Sequence, residues 1–208
     1  MTGLMWYAGR TVNITTKFAE LVPKHEKDYL TFESFKEHFG QDANAMIVGL
    51  QDSSLYNNVE VFNDYYALCD SISQIEGLET ILAIPFIDEL KANKRRRRFT
   101  TEKIFDGPVT TKEELLAKMK RVENMRLYEG QLFNSSTGAS NIYIPFKRAY
   151  IDSTSREGMV WEIVALTENF GKKHNIKPNF AGLPHLRTVK TETTKAELKL
   201  FLILSLLV

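Results

Sequence analysis

Twice along the chain the apolar residues change spacing from alternation to every third or fourth position and back. This doubled strand, helix, strand pattern restricts the architecture more than any other feature. In the first unit Met46-Ile47-Val48-Gly49-Leu50 is a short apolar strand, followed by the turn and cap signal Asp52-Ser53. From Asn57 to Glu76 the residues Val59, Phe62, Tyr66, Cys69 and Ile72 form the stripe of an amphipathic helix, and Gly77 closes it. Leu78 to Ile84 alternates into a second strand, with Pro85 tolerated at its end.

The second unit repeats that order. Ile142 to Phe146 is a strand, Asp152-Ser153 repeats the turn, and a helix from about Ser155 to His174 carries Met159 or Val160, Ile163, Leu166 or Thr167 and Phe170. Asn175 and Pro178 end it, and Phe180 to Val189 reads as a final strand. Two units of matching length predict an α+β fold: a ferredoxin-like βαββαβ layer, an antiparallel sheet with two helices on one face. The stretch from about Asp88 to Gly138 is a helical insert between the two halves. It contains a strand from Phe99 to Phe105, the turn Asp106-Gly107-Pro108 and the loop Asn134 to Gly138. Its helix opens on the capping box Thr111-x-x-Glu114 and carries Leu115, Met119 and Val122 on one face. Before the first unit, Arg10 to Ala19 alternates as a strand and Tyr29 to Phe39 has helical spacing, with Gly40 as its stop.

Chemistry is sparse by comparison. The 27 Lys and Arg against 26 Asp and Glu give a net charge of +1, which removes the argument for bulk nucleic-acid binding. A single cysteine, Cys69, excludes an internal disulfide framework and a Cys-based zinc site. No Gly-rich phosphate cradle and no nucleophile elbow is present, so no cofactor is expected. His25, His38, His174 and His185 have no metal-ligand spacing, and His174 falls where a helix C-terminus favours a cation. Cys69 lies on an apolar stripe and reads as a buried structural thiol, while Asp52-Ser53 and Asp152-Ser153 read as caps. No convergent acid, base and nucleophile emerges, and the chain is not expected to be an enzyme.

One local charge stands out: Lys94, Arg95, Arg96, Arg97 and Arg98, with Lys91 and Lys103 close by. Such a run contacts anionic lipid head groups or an acidic partner, or it is a solvated loop or hairpin tip; the sequence leaves both open. The ends are unusual too. Leu200 to Val208 is nine nearly unbroken apolar residues preceded by Lys195 and Lys199. A spanning helix needs about 20, so the run is either a helix end packed in a core or the start of a membrane helix. Gly3 to Ala8 is apolar with Trp6 and Tyr7, residues favoured at a membrane interface.

In order, His38-Phe39-Gly40-Gln41-Asp42-Ala43-Asn44-Ala45-Met46-Ile47-Val48-Gly49-Leu50, Phe62 in the helix, and Ile75-Glu76-Gly77-Leu78-Glu79-Thr80-Ile81 resemble the first extracytoplasmic loop of a resistance-nodulation-division (RND) superfamily exporter, in its MMPL-like branch. Phe18 to Lys24 resembles the segment after the first membrane helix. Pro178 to Thr188 resembles the last strand before the second, and the apolar tail falls where that helix begins.

The resemblance implies that 1–9 ends the first membrane helix, 10–190 is a porter domain with its insert at about 88–138, and 191–208 starts the second membrane helix. It implies a domain of a proton-driven exporter of hydrophobic or lipid-like molecules, lining or gating the outward path. The location would be the bacterial inner membrane, with this segment on the periplasmic side. The implied partners are the membrane helices and second extracytoplasmic loop of the same transporter, the substrate, and accessory envelope proteins, with no nucleic acid. Proton-relay acids would lie in the membrane helices, outside this chain. The alternative is a membrane-attached ferredoxin-like module that binds a lipid or partner without transport.

Overall fold

A computed structural model of the protein describes residues 25–39, 44–93, 98–151 and 155–207. The expected strand from Arg10 to Ala19, the apolar stretch Gly3 to Ala8, the segment Phe18 to Lys24, the stop at Gly40 and the turn Asp152-Ser153 all lie outside the described residues. The chain divides into two compact units, Asp42–Val189 and Met1–Gln41 with Lys190–Val208. In chain order the described elements are α1 (Lys27–Phe39), β1 (Ala45–Gln51), α2 (Ser54–Asn57), α3 (Val59–Ser73), β2 (Asp88–Asn93), β3 (Arg98–Lys103), α4 (Lys112–Glu123), β4 (Phe133–Asn134), β5 (Ala139–Pro145), α5 (Arg148–Ile151), α6 (Ser155–His174), β6 (Asn179–Ala181) and α7 (Leu183–Leu207).

The larger unit is built on an antiparallel sheet of order β4-β5-β1-β6. In β1, Met46, Val48 and Leu50 are buried, and their ladder partners Ile144, Ile142 and Ser140 on β5 are buried with them. Paired residues share a face, so these six define the inner side of the sheet. Helices α3 and α6 pack against each other and join the same core, with the Tyr65 ring 6.3 Å from that of Phe170. The Tyr65 hydroxyl meets the Ser140 hydroxyl at 2.9 Å, which places α3 over the inner face of β5 and satisfies two buried polar groups at once.

Several details depart from the sequence reading. Asp52 does close a turn, accepting the Ser54 N–H at 2.7 Å, but Ser53 makes no side-chain cap. The one-turn α2 intervenes, and α3 is capped by Asn58, which accepts from the Glu60 and Val61 N–H groups at 3.0 and 3.4 Å. On α3, Tyr65 rather than Tyr66 is the fully buried ring. The expected strand Leu78 to Ile84 is reduced to two bridges, Leu78 with Phe146 and Leu82 with Tyr143, followed by a short 3-10 turn at Ile84–Phe86. Between those bridges this segment takes four steps against three on β5, so one residue bulges and the regular ladder is lost. The segment still bonds the edge of β5: the Glu79 N–H reaches the Pro145 carbonyl at 2.8 Å, and Leu82 and Tyr143 exchange bonds of 2.9 Å.

The final strand is the largest correction. Only Asn179–Ala181 is extended, and a helix begins at Leu183 instead of continuing as strand to Val189. Gly182, with φ at 101°, makes the turn between them. A Cβ there would sit 2.2 Å from the Ala45 carbonyl oxygen, so the backbone of β1 passes where any side chain would stand. Pro184 then falls in the first turn of α7, where its missing N–H costs nothing. α7 runs 25 residues, about 37 Å at 1.5 Å per residue.

The insert is not purely helical, as expected from the sequence. It holds the hairpin β2–β3 as well as α4, and its β4 pairs with β5 in the main sheet. Thr111 accepts the Glu114 N–H at 3.2 Å as the capping box requires. The Glu114 carboxylate is held down at about 2, first by Lys118 and then by the Thr110 N–H and hydroxyl. Ile104, Phe105, Leu115, Met119, Val122 and Phe133 of the insert belong to the same core as the sheet and helices, so the insert does not form a core of its own.

In the smaller unit the described parts are α1 and the C-terminal part of α7. Leu30 and Phe35 of α1 are exposed, as are Leu198, Leu200, Phe201, Leu202, Ile203 and Leu204 of α7. Among the described residues, no helix is both long and apolar enough to cross a membrane.

Candidate functional site

The basic run joins the two strands of the hairpin. Lys94, Arg95, Arg96 and Arg97 lie outside the described residues. Arg98 opens β3, exposed and in register with Asn93. The pairs Glu89 with Glu102 and Lys91 with Thr100 share one face of the hairpin, and the pairs Leu90 with Thr101 and Ala92 with Phe99 share the other.

The first face is fastened to α4. Arg121 donates from Nη2 to Glu89 Oε2 at 2.6 Å and from Nε to the same oxygen at 3.1 Å, and it reaches Glu102 Oε1 at 3.4 Å. Lys91 Nζ bonds Glu102 Oε2 at 2.6 Å. Lys91, followed by Arg121, holds the Glu102 carboxyl below its usual range, and Glu89 raises Arg121 further. These pairs are partly exposed and add little to global stability; their effect is positional. We expect Arg121→Ala to speed amide exchange across β2 and β3 while leaving the melting temperature nearly unchanged. Unaltered exchange in the hairpin would show that the clamp does not hold it.

With its charged face tied down, the hairpin presents the other face outward. Leu90 is 68% exposed and Phe99 75% exposed, and Ala92 and Thr101 beside them are exposed as well. The sequence reading found the charge but not this apolar face. Polar Asp-Glu-Leu-Lys-Ala-Asn carries no strand signal of its own, so β2 was missed, and with it the pairing that sets Leu90 and Phe99 on one side.

The other candidates separate from one another. His174 does sit in the last turn of α6, but its partner is specific: Nε2 lies 2.6 Å from Asp64 Oδ2 on α3, and Lys173 Nζ lies 2.5 Å from the same oxygen. The Lys173 hydrogen bond, assisted by His174, holds the Asp64 carboxyl below the usual carboxylate range. A lowered folded value stabilises above the unfolded value, near 3.9, and the stabilisation is lost as pH falls through the folded value. Asp64→Asn should therefore cost under about 1 kcal/mol at neutral pH, the scale of an exposed pair, and urea melts of variant and wild type should converge in acid. A gap that persists in strong acid would assign the effect to packing instead.

His185 lies against the Phe180 ring at 5.4 Å, and burial pushes its pKa down. Cys69 is buried beside Tyr65, and burial pushes both the thiol and the phenol up, so neither is a nucleophile at neutral pH. The hollow lined by Ser73, Glu79, Thr80, Phe86 and Lys147 is shallow and includes no histidine or cysteine. Among the described residues, no group of three His, Cys, Asp or Glu side chains could hold a metal ion. Comparison with family models and with curated proteins finds no match to this chain.

Proposed function

We propose that this chain is an extracytoplasmic porter domain of a proton-driven RND-type exporter of hydrophobic or lipid-like molecules, lining or gating the outward path and catalysing no covalent chemistry itself. The observation that carries the reading is the junction at Gly182, where an edge strand of the antiparallel sheet passes directly into a helix whose far end exposes a run of large apolar side chains. In the reading proposed here, that run belongs to the start of the second membrane helix. The sheet supports it. With the bridged segment at Leu78 and Leu82 counted beside β5, the four segments lie in the order β6, β1, β5, then 78–82, as a ferredoxin-like βαββαβ layer requires. The sequence likeness at His38 to Leu50 and Ile75 to Ile81 covers β1 and the start of that fourth segment.

On this reading the complete gene product carries further apolar segments and a second domain of similar size. Deleting the gene should alter envelope lipid composition or tolerance of toxic hydrophobic compounds, with recovery on complementation. Unchanged lipids and tolerance would count against export. The hairpin's exposed apolar face favours a second reading, a membrane-attached ferredoxin-like lipid- or partner-binding module without transport; a gene product lacking a second such domain would select it.

A further inference from the structure

Every residue of β3, from Arg98 to Lys103, is exposed, and β3 has β2 as its one strand neighbour among the described residues. Apart from that ladder, no backbone group of Arg98 to Lys103 bonds another described residue. Such an edge is a template for a further strand. We propose that it takes a second copy of this chain: β3 pairs antiparallel with β3 of its partner about a two-fold axis at Thr100, joining the two hairpins into one four-stranded sheet.

The sequence of β3 selects both the occupant and the register. With Thr100 opposite Thr100, Arg98 stands opposite Glu102 of the second copy and Phe99 opposite Thr101, and by symmetry each pair occurs twice. Opposite charges, an aromatic ring against a β-branched residue, and Thr against Thr are the cross-strand pairs that stabilise a sheet. The faces agree as well: Arg98, Thr100 and Glu102 share the side of the hairpin that meets α4, and Phe99 and Thr101 share the other. Centring the pairs on Thr101 would set Thr100 against Glu102 and Phe99 against Lys103, and centring them on Phe99 would set Arg98 against Thr100; neither joins opposite charges.

The charges needed for this register are available. Arg98 is exposed and forms no ion pair with another described residue. The Glu102 side chain, already bonded to Lys91 and Arg121, keeps 51% of its surface exposed and can accept a third cation. On the other face the two Phe99 rings come to diagonal positions, where aromatic side chains reach each other. Ile87 and Ile104 at the base of the hairpin are buried in the core, so antiparallel pairing sets the two bodies at opposite ends of the joint sheet. Contact along 98–102 buries less than the ~1,000 Å² of a stable interface, so the dimer is a weak one, dissociating at roughly 0.1 mM.

The test is sedimentation velocity of the 208-residue chain in a detergent that covers the apolar end of α7, joined to oxidative cross-linking. We expect a monomer–dimer equilibrium. Arg98→Glu alone, or Glu102→Lys alone, sets like charges opposite each other twice and should weaken the dimer by about tenfold. Mixed together, the two variants regain opposite charges at both pairs and should associate as tightly as the wild type. Opposed Cα atoms at position 100 lie about 4.5 to 5.5 Å apart, within reach of a disulfide. Thr100→Cys should therefore cross-link on mild oxidation, whereas Thr101→Cys, with its counterpart more than about 7 Å away, should not. Cys69 is buried and adds no background. Since all the substituted side chains are surface groups, the amide-exchange map of Asp42–Val189 outside the hairpin should be unchanged in each variant.

A chain that stays monomeric at about 1 mM would overturn the proposal, as would cross-linking at Thr101→Cys in place of Thr100→Cys. A dimer indifferent to Arg98→Glu would overturn it in favour of contact through the apolar end of α7. A monomer whose hairpin gains amide protection only on phosphatidylglycerol vesicles would overturn it in favour of a bilayer. None of these outcomes depends on the exporter reading, which stands or falls on the gene-deletion phenotype and the composition of the complete gene product.

Discussion

Phe105→Ala is expected to cost about 3 to 5 kcal/mol and to loosen the whole of Asp42–Val189 together. Phe105 belongs by sequence to the insert, yet its ring lies 4.7 Å from that of Phe62 on α3, and both side chains are almost completely buried. Lys118 of α4 adds a cation 5.7 Å from the Phe105 ring centre. Truncating this ring opens a cavity where insert, α3 and α4 meet, so the loss includes the cavity as well as the transfer of the ring. In urea-dependent amide exchange we predict one cooperative unit, with α4 and β1 opening at the same denaturant concentration. If α4 and the hairpin opened first while β1, β5 and α3 stayed protected, the insert would be an independent module and the shared core would be wrong.

Gly182→Ala should cost about 2 to 4 kcal/mol for a different reason. Position 182 combines a positive φ with a Cβ site 2.2 Å from the Ala45 carbonyl oxygen and 3.0 Å from Met46 Cα. The first is a strain that alanine bears poorly. The second is contact with backbone rather than with a flexible side chain, so relief requires β6 and β1 to separate. The pairing of Ile47 to Gly49 with Asn179 to Ala181 is short and central to the junction with α7. We therefore predict loss of amide protection in β6 and at Ile47 and Gly49, beyond the drop in the urea midpoint. A variant as stable as wild type would mean that the approach of β1 to residue 182 is not as close as described.

Much of the larger unit can be read from the residues. The helix Ser155–His174 has the bounds its pattern predicts, because Met159, Val160, Ile163, Thr167 and Phe170 repeat at helical spacing up to the turn at Asn175. Leu115, Met119 and Val122 are buried behind their capping box as expected. Elsewhere the local signal competes with a tertiary one. Phe62 is followed at three and four residues by Tyr65 and Tyr66, and spacing cannot choose between them; the hydroxyl of Ser140, 75 positions away, accommodates Tyr65. Phe180 to Val189 alternates well enough to resemble a strand, but Gly182 and Pro184 are stop and start signals that outweigh the alternation. The hairpin is the least readable part. Its strands face solvent, so nothing forces alternation on them, and the clamp of Arg121 on Glu89 and Glu102 joins residues with no common local pattern.

We propose that this domain sits outside the cytoplasm on a membrane-embedded exporter. Ser135, exposed in the turn between β4 and β5, offers a site for testing it with little risk to the fold. Cys69 is buried, with its thiol pushed toward the unreactive form, and so contributes no background from this domain. In intact cells producing the complete gene product with Ser135→Cys, a maleimide that cannot cross the inner membrane should label the protein, which should remain in the washed membrane fraction. Labelling only after the cells are broken would place the domain in the cytoplasm and contradict the account.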